Sequence, residues 1–301
     1  MTAPVRLPWA ETRKGPLVLV NRDHPLRSPL VPDLVPLAGG WPDQHLDRTA
    51  ARMLTECIPA AGGAGVIRAG SGGRRPGAGQ AGVGFLGGGG GGGGGRPRRR
   101  RPGGGGWGAR WARVSPGGAG VILPVSGWRS RGEQQAIWDR TLETDGPDFT
   151  ARYVARPGCS EHETGLAVDL ALAADVIDPI CPAFPRDGVC GRFRALAADY
   201  GFIERYTEEK QPITGIGAEP WHFRYVGVPH ARLLTENALC LEEYRAFLQQ
   251  GDRTVRLPGG RRVTVGWLPC RSAAVRWTPP AACWQVSGDN DGGFITTVWE
   301  G

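Results

Sequence analysis

The feature that most constrains the fold of this 301-residue chain is a glycine- and arginine-rich window at residues 68–122. The window contains ten Arg, no Lys, no acidic residue and 24 of the chain's 49 glycines. Such a composition buries too little apolar surface to offset the conformational entropy that is lost on folding. We therefore expect a disordered segment here, and a folded body built from the sequence on either side of it.

The basic charge of the chain also comes from this window. The whole chain carries a formal charge of +7, so removing the ten arginines leaves the remainder at −3. The segment Gly-Gly-Ala-Gly-Val-Ile occurs at 62–67 and again at 117–122, and deleting 68–122 joins the flanking sequences without a seam. We interpret the window as an insertion, or a sequence error, within one domain. The alternative is an Arg-rich tether for nucleic acid or another anionic surface.

Outside this window, hydrophobic periodicity predicts helices interleaved with strands. Apolar residues recur at helical spacing in the segments 46–58, 132–144, 191–202 and 241–251. Strand-like alternation occurs at 123–128, 165–172 and 221–227, and in two hairpin-like segments, 254–265 and 283–299. In the second helix we expect Ile137 and Trp138 to face inward. Because the strands lack regular βαβ spacing, we predict an α+β fold with a mainly antiparallel sheet.

The cysteines and the apolar segments limit the class of protein. None of the seven cysteines forms a CxxC pair, which argues against a cysteine-built zinc finger. Cys181 and Cys190 bracket a Pro/Gly loop short enough for a small disulfide, although reduced thiols are the default expectation without an export signal. We find no apolar run that resembles a signal peptide or a membrane span, and we expect no transmembrane segment.

Polar residues within a stretch of small side chains indicate a metal site. The segment Cys-Ser-Glu-His-Glu-Thr-Gly-Leu-Ala-Val-Asp-Leu-Ala-Leu at 159–172 places His162 seven residues before Asp169. His222 lies in a charged, strand-like context, and Glu219 precedes it by three residues. A catalytic zinc site uses three protein ligands and keeps one position for water. A carboxylate beside such a site, but not bound to the metal, is suited to take a proton from that water.

Alternation along residues 221–227 assigns side chains to two faces of a strand. It predicts His222 and Arg224 on one face, and Trp221, Phe223 and Tyr225 on the other. A single histidine is more often a structural residue than a metal ligand. We interpret the histidines without such neighbours as structural or surface residues: His24, His45 and His230.

Taken together, these motifs resemble a known family. The pattern S-x-H-x-x-G-x-A-x-D at 160–169, followed by E-x-W-H at 219–222, is similar to that of the VanY-type D-alanyl-D-alanine carboxypeptidases. This family belongs to a group of zinc peptidases that includes the VanX-type dipeptidases and fold-mates of the Hedgehog signalling domain. The likeness extends upstream to Ser-Gly-Trp-Arg-Ser-Arg-Gly-Glu-Gln at 126–134. It covers residues 120–250 closely and 17–60 more loosely.

The resemblance implies a fold, a cofactor and catalytic roles. The fold would be that of the Hedgehog and D-Ala-D-Ala peptidase group, and one Zn²⁺ would be bound by His162, Asp169 and His222. Glu219 would act as the general base and then as the proton donor to the departing amine. Arg129 would stabilise the tetrahedral oxyanion at the scissile carbonyl, a role that suits a fixed guanidinium fork.

The resemblance also implies a substrate and the residues that contact it. The substrate would be a peptidoglycan stem peptide or precursor ending in D-Ala-D-Ala, with no nucleic-acid partner. Ser160 and Gln134 would help to bind the terminal D-Ala, although a solvated helix position is the alternative for Gln134. We expect Trp128 and Trp221 to line the substrate pocket. Trp128 stands where the family usually has Tyr.

The resemblance suggests a division of the chain. We expect residues 1–67 to form the N-terminal part of the catalytic domain and 68–118 to be a disordered insertion. Residues 119–251 would form the zinc peptidase core, and 252–301 a small C-terminal β segment of unassigned role. The family usually acts outside the cytoplasmic membrane, so the lack of a visible signal leaves the location open.

Several alternatives to a stem-peptide carboxypeptidase stay open. The first is a related zinc peptidase that acts on a free D,D-dipeptide or on another cell-wall peptide bond. The second is a non-catalytic zinc-binding module, against which the presence of both Glu219 and Arg129 argues. The third is a nucleic-acid-binding protein that acts through the Arg-rich window.

Overall fold

The computed structural model describes residues 2–37, 44–63 and 120–300. The predicted insertion at 68–118 lies outside the described residues, and its proposed disorder stays a prediction. The expectation of disorder up to residue 122 was wrong at its end, because Ile122 is buried and begins a strand. The described part of the chain belongs to one compact unit. The division of this unit at residue 252 also stays a prediction.

The order of helices and strands agrees with the predicted interleaving. The strands are β1 (Val5–Pro8), β2 (Leu34–Pro36), β3 (His45–Asp47), β4 (Ile122–Ser126), β5 (Ala167–Leu172), β6 (Phe202–Tyr206), β7 (Glu219–Tyr225), β8 (Arg253–Arg256), β9 (Arg262–Pro269), β10 (Ala274–Trp277), β11 (Cys283–Gly288) and β12 (Gly293–Trp299). The α-helices are α1 (Arg48–Ala60), α2 (Arg131–Thr144), α3 (Pro147–Tyr153), α4 (Gly188–Leu196), α5 (Gln211–Thr214), α6 (Val228–Glu236) and α7 (Leu241–Gln249).

A four-stranded antiparallel sheet forms the centre of the fold. Its strand order is β4-β5-β7-β6. The register places Asp169 on β5 directly opposite His222 on β7, and Ser126 on β4 opposite Asp169 from the other side. Because directly opposed residues share a face of an antiparallel pair, this register brings two residues fifty-three positions apart into contact.

One face of the central sheet is covered by α1 and α4. Apolar residues of both helices pack against Trp221, Phe223 and Tyr225 in one buried cluster. The rings of Phe193 and Phe223 meet edge to face, with centroids 5.0 Å apart. The predicted alternation along residues 221–227 is therefore confirmed, and it leaves the polar side chains of β7 on the opposite face.

A second sheet, with order β11-β12-β9-β8, follows the catalytic motifs in sequence. Both predicted hairpins are present, as the β8–β9 and β11–β12 antiparallel pairs. Its apolar side chains share a core with α6 and α7, to which Leu234, Tyr244, Val263 and Ile295 contribute. The N-terminal strand β1 pairs with β10, so strand pairing joins the N-terminal segment to the C-terminal part of the fold.

One detail of α2 differs from expectation. In α2, the buried positions are Gln134 and Thr141, while Ile137 and Trp138 are only half-buried. This helix borders a polar cleft, so polar residues take the buried stripe. The loop between Cys181 and Cys190 is not closed by a disulfide, because all seven cysteines are free thiols. No helix among the described residues is long and apolar enough to cross a membrane.

Candidate active site

The three predicted metal ligands lie together on the polar face of the central sheet. His162 belongs to a 3₁₀ turn, Glu161–Thr164, that ends at Gly165 with a φ of 73° just before β5. Its Nε2 atom lies 3.2 Å from Oδ2 of Asp169. Nδ1 of His222 lies 3.0 Å from Oδ1 of the same carboxylate. The three ligand atoms lie within 4.8 Å of one another, which makes the group suitable for a metal ion.

The orientation of His162 is fixed by a backbone carbonyl. Nδ1 of His162 lies 2.7 Å from the carbonyl oxygen of Gly127, so it donates its proton there and Nε2 carries the lone pair. Gly127 is packed so closely that a Cβ atom would lie 2.4 Å from the carbonyl oxygen of His45. Because glycine has no side chain, the backbone at Gly127 can pack closely against His45 and place its carbonyl group against His162.

The orientation of His222 is fixed by a carboxylate instead. Nε2 of His222 lies 3.4 Å from Oε2 of Glu161, at the long end of hydrogen-bond distance. The other oxygen of Glu161 contacts Nε of Arg205 at 2.8 Å and Nη1 of Arg224 at 3.0 Å. Arg205 makes a second, bidentate pair with Glu242, at 2.6 and 2.9 Å. Three side chains of this network are fully buried: those of Glu161, Arg205 and Arg224.

The electrostatics of the ligand group match metal binding. Burial alone would raise the pKa of Asp169, but the charges of His162 and His222 and their hydrogen bonds lower it well below its usual range. Burial and the charge of Arg129 lower the pKa of His162 to about 4. Against burial, hydrogen bonds to Asp169 and Glu161 raise the pKa of His222 to about 9. A metal ion competes with this proton for Nδ1, since ligand histidines bind in the neutral form.

Glu219 lies beside the ligands without joining them. It begins β7, and its Oε2 atom is 3.6 Å from Nδ1 of His222, which is too long for a hydrogen bond. Burial, together with the nearby charge of Asp169, raises its pKa to about 8, against the opposing charge of His222. A carboxyl group with a pKa near neutrality is suited to accept and return a proton.

Arg129 lies beside the proposed ligands, and its backbone N–H donates to the carbonyl oxygen of His162 at 3.2 Å. It directly precedes Ser130, which caps the N-terminus of α2 and forms a reciprocal capping box with Glu133. Its Nη2 atom lies 3.5 Å from Oδ2 of Asp169, and its Nη1 donates to Oε1 of Gln134 at 3.1 Å. Gln134 in turn donates to the carbonyl oxygen of Ala155 at 2.7 Å. The Nε–H group of Arg129 is buried with no hydrogen-bond partner among the described residues.

A cleft of about 500 Å³, its open mouth included, runs over these groups. Of the substrate-binding residues predicted from the sequence, Ser160, Gln134 and Trp221 line it, together with Tyr206. Gln134 is buried and hydrogen-bonded, so it is not a solvated helix position. Trp128 is half-buried and is not one of the described residues that line this cleft.

The residues that support the proposed ligands were not predicted from the sequence. Glu161 lies inside the quoted motif, between Ser160 and His162, but its role was not assigned. Arginines in the middle of strand-like segments, at 205 and 224, were the available signal, because a charged residue within a buried strand needs a partner. The carbonyl group of Gly127 carries no side-chain signal.

Comparison with known proteins places the chain in a family. Residues 118–228 match a family model described as VanY, D-alanyl-D-alanine carboxypeptidase. A bifunctional D-Ala-D-Ala dipeptidase and D-Ala-D-Ala carboxypeptidase, VanXYC of Enterococcus gallinarum, is 46% identical over 133 residues, which are 44% of this chain and 70% of the relative. A D-alanyl-D-alanine carboxypeptidase of Enterococcus faecium is 31% identical over 186 residues, which are 62% of this chain and 56% of the relative.

A solved structure supports the same assignment over a longer span. The vancomycin-resistance D,D-dipeptidase VanXYg, crystallised with a D-Ala-D-Ala phosphinate analogue, matches with a TM-score of 0.78 and 34% identity, covering 100% of each chain. The chain described here belongs to the VanY family of D-alanyl-D-alanine carboxypeptidases. It is a peptidase of that class, and the predicted α+β fold with antiparallel sheets is confirmed.

Proposed function

We propose that this peptidase removes the terminal D-Ala from peptidoglycan stem peptides, using one zinc ion bound by His162, Asp169 and His222. The observation that carries the proposal is the arrangement around His222. Three ligand atoms lie within 4.8 Å of one another, and the free carboxyl group of Glu219 lies 3.6 Å from one of them. This is the composition of a catalytic zinc site, with three protein ligands and a neighbouring base.

The donor set fits zinc in its chemistry. Two imidazoles and one carboxylate are typical ligands of catalytic zinc, and both imidazoles have their second nitrogen engaged by an acceptor. When bound, zinc lowers the pKa of a coordinated water to about 7 and polarises a carbonyl oxygen. The remaining steps depend on side chains of the protein.

Glu219 would move the proton during hydrolysis. Its carboxylate accepts a proton from the attacking water as the water oxygen bonds to the scissile carbonyl carbon. It then donates that proton to the nitrogen of the departing D-Ala as the C–N bond breaks. Its position, 3.6 Å from Nδ1 of His222, places this carboxylate beside the proposed ligands, where it can take and return the proton.

Arg129 would stabilise the negative charge that develops on the carbonyl oxygen. Its guanidinium lines the cleft and is oriented by the hydrogen bond from Nη1 to Gln134 and by Nη2, which lies 3.5 Å from Oδ2 of Asp169. Preorganised donors of this kind act strongly because they need no reorganisation during the reaction. Ser160, Gln134 and Trp221 line the cleft and would contact the terminal D-Ala, whereas a contact from Trp128 requires a substrate that extends beyond the cleft.

Hydrolysis of the free dipeptide D-Ala-D-Ala is a second candidate activity. VanXYC is named for both activities, and VanXYg is described as a D,D-dipeptidase. The alternative of a non-catalytic zinc-binding module is not supported, because the chain belongs to a family of D-alanyl-D-alanine carboxypeptidases and has both Glu219 and Arg129 beside the proposed ligands.

The test measures D-Ala release from a pentapeptide ending in D-Ala-D-Ala and from the free dipeptide, with zinc content measured in parallel. We expect release from the pentapeptide that a chelator abolishes and added zinc restores. Glu219→Gln, which removes the base but none of the ligands, serves as the matched control. Faster hydrolysis of the dipeptide would favour the second candidate. Bound zinc with no hydrolysis of either substrate would contradict both activities.

A further inference from the structure

Glu161 is a buried carboxylate that makes more charged contacts than the packing of its side chain requires. Its side chain is fully buried, one residue before the first proposed zinc ligand. One oxygen contacts two guanidinium groups, those of Arg205 at 2.8 Å and Arg224 at 3.0 Å. The other oxygen faces only Nε2 of His222 among the hydrogen-bond partners that the described residues provide. The carboxylate thus has one oxygen for anchoring and one for a histidine.

The two arginines are themselves held from outside the site. Arg205 is bound through both terminal nitrogens by Glu242 at the start of α7. Arg224 donates from Nη2 to the backbone carbonyls of Pro16 and Val18, at 3.0 Å each. The two carboxylates and two guanidiniums balance in charge, which is the condition under which ionised groups are tolerated in a protein interior. This network therefore fixes Glu161 through α7 and the N-terminal segment.

A fixed, ionised Glu161 allows only one productive state of the His222 ring. An ionised carboxylate is an acceptor, so Nε2 must carry the proton where it faces Oε2. Nδ1 then presents its lone pair toward Asp169, in the position required of a metal ligand. The other tautomer would place the Nε2 lone pair against this carboxylate, which is repulsive, and a flipped ring would turn a carbon-bound hydrogen toward it and lose the hydrogen bond.

We infer that Glu161 is a positioning residue that selects the tautomer and ring orientation of His222, and that Arg205 and Arg224 hold it in place for this purpose. The inference rests on the proposed function and deepens it, because it assigns the tautomer to one residue outside the ligand set. Glu161 is among the residues that line the cleft, but the role inferred for it is exerted through His222 and not on the substrate. Its effect is expected on zinc affinity first and on hydrolysis only in consequence.

The first measurement needs no variant. In the zinc-loaded full-length chain, long-range ¹H–¹⁵N correlation spectra report which nitrogen of the His222 ring is protonated. We expect a proton on Nε2 and metal-type shifts at Nδ1. A proton on Nδ1 would overturn the inference while leaving zinc binding itself established.

The second measurement compares zinc affinity among variants by competition with a chromophoric chelator. Glu161→Gln and Glu161→Ala are expected to bind zinc about 10-fold to 100-fold more weakly than the unchanged chain. Glu163→Gln is the matched control, because Glu163 lies on the same turn and is also buried. Its carboxylate contacts Arg131 and the backbone N–H of Gly158 rather than a histidine. We expect its zinc affinity to stay within about 3-fold of the unchanged chain.

The outcomes separate this inference from the proposed function. If the unchanged chain binds no zinc, the proposed function fails and the inference fails with it. If it binds zinc and the Glu161 variants bind equally well, only the inference fails. Equal weakening in the Glu161 and Glu163 variants would show that Glu161 stabilises the turn and does not select the tautomer.

Discussion

The two histidines of the candidate zinc site are supported in different ways. The ring of His162 is held by a backbone carbonyl, that of Gly127, whereas the ring of His222 is held by the side chain of Glu161. Neither support uses the nitrogen nearest to Asp169, which is the nitrogen proposed to bind the metal. The first support depends on close backbone packing, and the second depends on a network of buried charges.

The difference determines how each support can fail. A carbonyl group has no ionisable form, so the support of His162 is independent of pH and is lost only when the backbone moves. A carboxylate keeps its role only while it stays ionised and anchored. Burial would raise the pKa of Glu161, but Arg205, Arg224 and His222 lower it far below its usual range. The second support therefore depends on two arginines as well as on Glu161.

The largest effect is expected where neither support is involved. Glu219→Gln should lower kcat by about 10²-fold to 10⁴-fold, because the amide cannot accept the proton of the attacking water. Zinc affinity should change little, since Glu219 lies 3.6 Å from the ligand nitrogen of His222 and does not fix its ring. Steady-state kinetics and a zinc titration on the same preparation check both parts. A large loss of zinc would mean that Glu219 belongs with the supports.

A somewhat smaller effect on kcat is expected at Arg129. Arg129→Lys keeps a positive charge but loses the fork that reaches Asp169 and Gln134 together. We expect kcat to fall by about 10²-fold to 10³-fold, with zinc affinity nearly unchanged. Gln135→Ala is the matched control and should have normal kinetics, because Gln135 is an exposed residue of α2 whose side chain donates a hydrogen bond to Asp139. Normal activity in Arg129→Lys would contradict the proposed role.

The carbonyl support of His162 can be tested at Gly127. In Gly127→Ala the new Cβ would lie 2.4 Å from the carbonyl oxygen of His45, so the backbone must move. We expect a loss of about 1–3 kcal/mol in the free energy of unfolding, measured in urea. Zinc affinity should also fall, because the displaced carbonyl no longer orients Nδ1 of His162. Unchanged zinc affinity despite lower stability would show that the carbonyl does not orient the ring. Gly132→Ala, where a Cβ meets nothing within 4 Å, is the control.

The sequence indicates the proposed ligands more directly than their supports, for a physical reason. His162, Asp169 and His222 were identified because ligand chemistry is a property of residue type and spacing. The cross-strand register that makes Asp169 the partner of His222 depends on pairing between distant segments, which one sequence does not display. The carbonyl of Gly127 is chemically identical to every other backbone carbonyl. Only the fold shows that this one faces an imidazole.

The predicted helices and strands were correct where one face is apolar and were less accurate near the cleft. The alternation at residues 221–227 was correct because a buried core selects every second residue. In α2 the assignment of Ile137 and Trp138 to the interior was wrong in detail, because Gln134 takes the buried position. The side-chain amide of Gln134 is hydrogen-bonded at both groups, because its oxygen accepts from Arg129 and its NH₂ group donates to the carbonyl of Ala155. Burial of a polar side chain depends on its hydrogen-bond partners, and hydrophobic periodicity does not predict it.

A third buried histidine extends the comparison to a ring supported without any charge. His230 on α6 has Nδ1 at 2.9 Å from the hydroxyl of Tyr244 and Nε2 at 3.0 Å from the hydroxyl of Thr297. Burial without a carboxylate partner lowers its pKa to about 3, in contrast to the raised pKa of His222. The pKa in the unfolded chain is close to the ordinary value of 6.5. Between these two pKa values the unfolded chain binds a proton that the folded chain does not.

The smallest predicted effect follows from this difference in proton binding. The contribution of His230 to stability is complete above pH 6.5 and falls as the pH decreases toward 3, because protonation then favours the unfolded chain. Between pH 6.5 and about pH 5.5 the unchanged chain should lose about 1 kcal/mol more of its unfolding free energy than His230→Gln. Glutamine keeps one donor and one acceptor but does not titrate. Urea unfolding of both proteins at the two pH values measures the difference, and parallel pH dependences would show that His230 already binds a proton in the folded state.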